Sequence, residues 1–306
     1  YCTGDLHIGS NDVVYTHPTT SVATTFRHRG FDNVLSVVND IRTRYGFVDQ
    51  ILVTGQSAGG YGAIFNFPVI KESFPSARVD VLADASNGVL PSAAAQIQTL
   101  RAQYGLPANL PTWMTNTATP LSQARLTSGA LQVRDYFAEA AATYPTSRVA
   151  QYTSMYDGNQ RFFYGVMQTI QAGTTYTDAR TQDPRVSGRR YSTLYGDSDG
   201  TAMADADSCA WRDGAASAMK SVADASTNYT YFVAPGDVHT ITTSDDMHTV
   251  VSGGQNFVQW LREFTGDGGI PARRQCSAAG CNAPVSDAST PGIVSANCGA
   301  AETTLF

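Results

Sequence analysis

The chain has 306 residues and a formal net charge of −6, from 20 Lys+Arg and 26 Asp+Glu. This acidic balance and the lack of a basic run argue against nucleic acid as a partner. Hydrophobic residues make up 42% of the chain, which is enough for a sizeable core. No stretch is long and apolar enough to span a bilayer.

Strands alternate with helices along the chain. A helical period over residues 33–45 ends at Gly46 and is followed by a strand over 50–54. Further strands are predicted over 78–83, 148–155 and 229–234, and further helices over 211–225 and 255–264. The alternation predicts one α/β domain over 1–306, with a mostly parallel sheet flanked by helices.

Two segments depart from this alternation. Residues 86–146 are rich in Ala, Pro, Thr and Gln, and are interpreted as a helical insertion that covers the active site or as ordinary outer helices. Residues 266–306 are rich in Gly, Ala, Ser and Pro and contain three of the five cysteines. We expect this tail to be an irregular wrap held by disulfides rather than a second domain.

Residues 55–59 read Gly-Gln-Ser-Ala-Gly directly after a predicted strand, which is the form of a nucleophile elbow. An elbow strains the backbone of its serine and exposes the hydroxyl. We expect Gly55 and Gly59 to remove Cβ atoms that would clash there. The pattern predicts Ser57 as a nucleophile and the backbone N–H of Ala58 as an oxyanion donor.

A serine needs a general base, and the chain has five histidines. When the order is serine, acid, histidine, only His239 and His248 lie late enough. His239 is favoured because it follows a predicted strand through a Pro-Gly turn, whereas His248 lies in a polar loop.

The acid of such a triad should follow a strand between the serine and the histidine. Asp157 does so directly after the strand at 148–155, and we favour it. Asp84, after the strand at 78–83, is the rival, and would otherwise shape the pocket floor. Tyr156 and the aromatic run at 162–164 are candidates for an apolar pocket, although such residues are more often core.

The cysteines and acidic residues leave several readings open. Cys276 and Cys281 are close enough to form a small disulfide loop, and Cys209 could pair with Cys298, which would leave Cys2 over. No metal or cofactor is expected. Asp197 and Asp199 are candidate calcium ligands, although a simple polar turn is favoured there.

Several segments in order resemble the pectin acetylesterase and Notum family of serine carboxylesterases. The segments are Tyr-Cys-Thr-Gly-Asp at 1–5, His-Arg-Gly-Phe-Asp-Asn at 28–33, the elbow at 55–60, Leu-Ala-Asp-Ala at 82–85 and Tyr-Asp at 156–157. The resemblance implies an α/β-hydrolase-like fold, and implies that Ser57, Asp157 and His239 form a catalytic triad. It also implies secretion, with which the cysteine content agrees.

The resemblance further implies a serine esterase that deacetylates a pectin-like polysaccharide, with the ester as its partner. A carboxylesterase or polyesterase acting on lipid or synthetic polyesters is the alternative. The family carries a glycine-rich oxyanion loop before the Tyr-Cys segment, so we expect an N-terminal segment that supplies an oxyanion donor and a partner for Cys2. If that loop is missing, the alternative is a protein of another functional class, an inactive binding protein with a hydrolase fold.

Overall fold

The computed structural model describes residues 3–17, 19–91, 103–105, 132–161, 163–164, 205–277 and 281. The chain divides into two compact units. One comprises Tyr1–Ala83 and Ala93–Val149, and the other comprises Asp84–Ser92 and Ala150–Phe306. Most of the expected insertion at 86–146, and most of the expected tail at 266–306, lies outside the described residues.

The first unit begins with an antiparallel hairpin that the sequence did not predict. Its strands are β1 (Asn11–Thr16) and β2 (Ala23–His28). All of β2 except its last residue is exposed, so the sequence has no alternation of apolar and polar residues to reveal the strand. The remaining elements are α1 (Gly30–Tyr45), β3 (Gln50–Gln56), α2 (Ala58–Ser73), most of β4 (Arg78–Asp84) and α3 (Val133–Thr143).

Helix α2 is well buried, with seven buried residues against two in α1. Ile64 and Phe67 are almost fully buried, and the ring of Phe65 packs edge-on against Tyr136 of α3, with centroids 4.3 Å apart. Burial of one such aromatic side chain contributes about 2–3 kcal/mol. The helix that carries Ser57 at its N-terminus is therefore a fixed part of the core.

The second unit contains a cluster of packed aromatic rings. Its elements are most of β5 (Val149–Ser154), then α4 (Asp205–Ala225), β6 (Tyr229–Ala234), β7 (Val251–Ser252), β8 (Gln255–Asn256), α5 (Phe257–Thr265) and β9 (Arg274–Gln275). The rings of Phe232, Phe257 and Trp260 pack against one another with centroids 5.3–5.8 Å apart. Strands β5 and β6 are buried at every position, as expected for strands covered on both faces.

Within the described part of the chain, five strands form one sheet in the order β3-β4-β5-β6-β9, and β6 pairs with β9 in parallel. Helices follow β3 and precede β6, as the alternating pattern predicts. The predicted α/β class and flanked sheet are confirmed. Across the described residues, no helix combines the length and apolarity needed to cross a membrane.

The predicted small disulfide is present. Cys276 and Cys281 are bonded, with their Cα atoms 5.1 Å apart. The carbonyl of Cys281 accepts a hydrogen bond from the Gly236 N–H at 2.8 Å, and the Cys276 N–H donates to Val233 at 3.1 Å. The disulfide loop is therefore fixed to the end of β6, just before His239. Cys209 is also disulfide-bonded, and Cys2 and Cys298 lie outside the described residues.

Candidate active site

Ser57 occupies a strained turn between β3 and α2. Its φ is 53° and its ψ is −120°, and it is the N-cap of α2. A positive φ is uncommon for a residue with a side chain and is characteristic of constrained functional positions. The strand, the strained serine and the helix therefore have the form that the Gly-x-Ser-x-Gly pattern predicts.

The two elbow glycines are not equivalent. A Cβ added at Gly55 would overlap the backbone carbonyl of Gly59, which cannot move aside as a side chain could. A Cβ added at Gly59 would have no neighbour within 4 Å, so the steric reason expected for Gly59 does not hold. Gly55 allows the close approach, and Gly59 contributes the backbone that is approached.

Ala58 is the first residue of α2, directly after the serine. The first N–H groups of a helix have no acceptor within the helix, and they lie at the positive end of its dipole. The Ala58 N–H therefore has the chemistry of an oxyanion donor.

Asp157 and His239 are brought together. The Nδ1–H of His239 donates to both carboxylate oxygens of Asp157 at 2.9 Å each. Asp157 is fully buried, and the side chain of His239 is 15% exposed. Its Nε2 is buried and has no hydrogen-bond partner among the described residues. With the proton held on Nδ1, Nε2 is left as the basic nitrogen.

The environment of His239 favours the protonated imidazole. Burial lowers the pKa of His239, but the charge and hydrogen bond of Asp157, together with the charge of Asp84, outweigh burial and raise the pKa above its usual 6.5. The ring is therefore a stronger base than a free histidine. This suits a group that must take a proton from a hydroxyl.

Gln160 supports Asp157, and we did not predict its role. Its N–H donates to one oxygen of Asp157 at 2.9 Å, and its side-chain amide donates to the other at 3.1 Å. Asp157 thus accepts from Gln160 and His239 together. The signal that could have identified Gln160 is its position three residues after the acid, at the first turn of a short helix.

Asp84, the rival acid, has a different partner. It accepts hydrogen bonds from the N–H groups of Ile241 and Thr242 at 3.0 and 2.9 Å, and from the Thr242 hydroxyl at 2.6 Å. Burial raises the pKa of Asp84, and these donors and the His239 charge partly counter the rise. No hydrogen bond joins Asp84 to the imidazole among the described contacts, so Asp157 is the carboxylate bonded to His239.

The remaining candidates are placed elsewhere. Tyr156 is fully buried, and its hydroxyl accepts a hydrogen bond from Arg212 at 3.2 Å. Asp84 is fully buried as well, so neither side chain is open to a substrate. His248 is exposed in the 3₁₀ turn Asp245–His248. The described residues include no cluster of His, Cys, Asp and Glu suited to a metal, and Asp197 and Asp199 lie outside them.

An α/β sheet with a strained serine after β3 and a hydrogen-bonded Asp-His pair is characteristic of the α/β-hydrolase class. The sequence model of the family described as Pectinacetylesterase matches residues 1–194. Because this match covers more than half of the chain, the protein belongs to the pectinacetylesterase family. The family resemblance drawn from the sequence is confirmed.

A solved structure shares this fold. The chain is similar to the Wnt deacylase Notum from Drosophila in one crystal form, with a TM-score of 0.50, 15% identity, and coverage of 86% of this chain and 66% of that chain. For a second crystal form of the same protein, the TM-score is 0.48 and the identity is 16%, with coverage of 86% of this chain and 64% of that chain. The chain therefore spans just under two thirds of the Notum chain. Comparison with curated proteins found no match.

Proposed function

We propose that this protein is a serine carboxylic-ester hydrolase that works through an acyl-enzyme. Membership of the pectinacetylesterase family supports ester chemistry. The observation that carries the proposal is the bond from His239 Nδ1–H to Asp157, which leaves a buried Nε2 as the basic nitrogen. The strained conformation of Ser57 supports its role as the nucleophile.

In the proposed reaction, Ser57 Oγ attacks the ester carbonyl carbon while His239 Nε2 takes the hydroxyl proton. Asp157 stabilises the imidazolium, and the Ala58 N–H donates to the oxyanion. Collapse of the tetrahedral intermediate breaks the bond to the alcohol, which leaves with the proton from His239. Water then attacks the acyl-enzyme with His239 again as base, which releases the acid and restores the Ser57 hydroxyl.

We further propose that the ester is the O-acetyl group of a polysaccharide such as pectin. The family description names this substrate class, and it supports the choice over the alternative of a lipid or synthetic polyester. Secretion is part of the proposal, supported by the Cys276–Cys281 disulfide. The alternative of an inactive binding protein makes no use of the Asp157–His239 pair.

The test uses p-nitrophenyl esters from acetyl to octanoyl, beside acetylated pectin and xylan. Ser57→Ala should abolish hydrolysis with the fold intact. Ser73→Ala, which removes a hydroxyl bonded to the Val69 carbonyl in the last turn of α2, is the matched control and should keep activity. Acetate release from a polysaccharide would support the deacetylase, whereas turnover of longer esters alone would favour the polyesterase.

A fluorophosphonate probe separates the enzyme from the binding protein. We expect the unmodified protein to become labelled on Ser57, and the Ser57→Ala variant to remain unlabelled. Ester turnover that survives Ser57→Ala would overturn the assignment of the nucleophile. A folded protein that neither reacts with the probe nor cleaves any ester would overturn the proposal itself.

A further inference from the structure

The segment at the end of β4 bonds to residues that adjoin both members of the proposed acid-base pair. Asp84, its last residue, bonds to the two residues that follow Thr240, in the loop that carries His239. Its carboxylate accepts from two backbone N–H groups and from the Thr242 hydroxyl, which gives three donors to one buried group. Three hydrogen bonds from adjacent residues to one buried carboxylate fix the position of the loop relative to β4.

The loop needs this support because its backbone is strained. Thr240, directly after His239, has a φ of 64°. A β-branched residue adopts a positive φ only when the surrounding structure imposes it. The Asp84 bonds to Ile241 and Thr242 lie immediately after the strained residue, where they hold it in place.

The same segment supports the acid through a second route. Asn87 donates its N–H to the side-chain oxygen of Gln160 at 2.7 Å, and its own side-chain oxygen accepts from the Gln160 amide at 3.2 Å. This pairing sets the orientation of the Gln160 amide that donates to Asp157. Asn87 is in turn held by its side-chain amide, which donates to the sulfur of Met219 at 3.1 Å.

Residues 84–87 are themselves rigid. Asp84, Ala85, Ser86 and Asn87 are each between 0% and 3% exposed. The Ala85 N–H donates to the Tyr152 carbonyl on β5 at 2.8 Å, and the Ser86 hydroxyl donates to the Asp84 carbonyl at 3.0 Å. A segment fixed to the central sheet is a better support for a catalytic group than a free loop.

We propose that residues 84–87 are a positioning segment that holds both the base and the acid: Asp84 fixes the loop of His239, and Asn87 fixes Asp157 through Gln160. The inference rests on the proposed function. Asp84 does not touch the ester in this scheme, and it acts through the His239 loop. Its negative charge also favours the imidazolium that forms during the reaction.

The experiment compares three changes at this contact. Asp84→Ala removes all three bonds, Asp84→Asn removes the charge and keeps an acceptor, and Thr242→Val removes one hydroxyl. We expect kcat to fall about 100-fold, about tenfold and about threefold respectively, with KM within about twofold of the wild type. The matched control is Asp80→Asn, a carboxylate of the same strand that is also fully buried and accepts from the Arg148 N–H.

A second readout does not depend on activity. The proton on Nδ1 of His239 should give a protected, downfield NMR signal, which His239→Gln assigns by its loss. Asp84→Ala should broaden or remove this signal and Asp84→Asn should shift it, whereas Asp80→Asn should leave it unchanged. If Asp84→Ala does not fold, Asp84→Asn and Thr242→Val carry the test.

The two failures are distinguishable. If the wild type neither hydrolyses esters nor reacts with the serine probe, the proposed function is wrong, and the NMR signal alone decides the positioning role. If Asp84→Asn and Thr242→Val keep both the kcat and the His239 signal of Asp80→Asn, residues 84–87 do not position the pair. Loss of stability equal to that of Asp80→Asn, without a change in kcat or signal, would also overturn the inference.

Discussion

The elbow and the acid-base pair are held by different kinds of interaction. Around Ser57, the backbone geometry determines the conformation. Ser57 has a positive φ, and Gly55 can approach the carbonyl of Gly59 because it has no Cβ. Around His239, side-chain hydrogen bonds link residues far apart in sequence, 82 for His239 and Asp157 and 158 for Thr242 and Asp84. The first region is therefore sensitive to added volume, and the second to lost polar groups.

The largest expected effect is at Gly55. Gly55→Ala would force a Cβ into the backbone of Gly59, and we expect a loss of about 3 kcal/mol or more in the free energy of unfolding. Gly59→Ala has open space for its Cβ and is the control from the same turn. Denaturant unfolding of both variants measures the difference. Equal stabilities would show that backbone approach does not shape the elbow.

Asp157→Asn tests the polar region by a change that adds no volume. An amide can present its N–H to Nδ1, which would favour the wrong imidazole tautomer, and we expect kcat to fall about 10³- to 10⁴-fold. The thermal transition should remain cooperative. The rate on p-nitrophenyl acetate is the measurement, with the exposed-turn variant Asp245→Asn as control. A greater loss from Asp84→Asn than from Asp157→Asn would make Asp84 the acid.

Gln160 should matter less, because it orients the acid and takes no part in proton transfer. Gln160→Met removes the side-chain donor to Asp157, keeps the backbone N–H donor and preserves much of the volume, and we expect kcat to fall about tenfold. Gln151→Met is the matched control, since Gln151 is also buried and bonds to Tyr229 on β6. Steady-state kinetics on one ester compares them. A similar rate for both variants would remove Gln160 from the network.

The difference between the two regions also explains what the sequence could predict. The elbow is contiguous in sequence, so its glycines, its serine and the strand before it could be predicted from one short segment. Strands β5 and β6 could also be predicted from the sequence, because every residue in them is buried. Asp157 and His239 could be chosen only from strand ends and chain order.

The contacts made by residues 84–87 had no local signal. Thr242 and Asn87 are ordinary polar residues in loops, and only the folded chain shows that each bonds to a residue more than seventy positions away. The open space at Gly59 and the arginine beside Tyr156 could not be predicted for a related reason. Whether a Cβ has space, or a phenol faces solvent or an arginine, depends on neighbours that a sequence pattern does not specify.

The smallest expected effect is a shift in pH dependence. Only the neutral imidazole can accept the serine proton, so kcat/KM should rise with pH through the pKa of His239. Burial lowers the pKa of His239, but Asp157 and, to a smaller extent, Asp84 raise it by more than burial lowers it. The midpoint should therefore lie above 6.5. Removing either negative charge should therefore lower the midpoint, and Asp157→Asn should lower it more than Asp84→Asn does. Profiles from about pH 5 to about pH 9 at constant ionic strength measure this.

The exposed His248 is the control for that profile, because its removal by His248→Gln should leave the midpoint unchanged. A midpoint at or below 6.5 would contradict the raised pKa of His239. A midpoint that moves with His248→Gln and not with Asp157→Asn would assign the base to the 3₁₀ turn instead. The network of side-chain hydrogen bonds around His239 would then have a structural role only. The region held by backbone geometry would still contain the nucleophile, but the region held by side-chain hydrogen bonds would not contain the base.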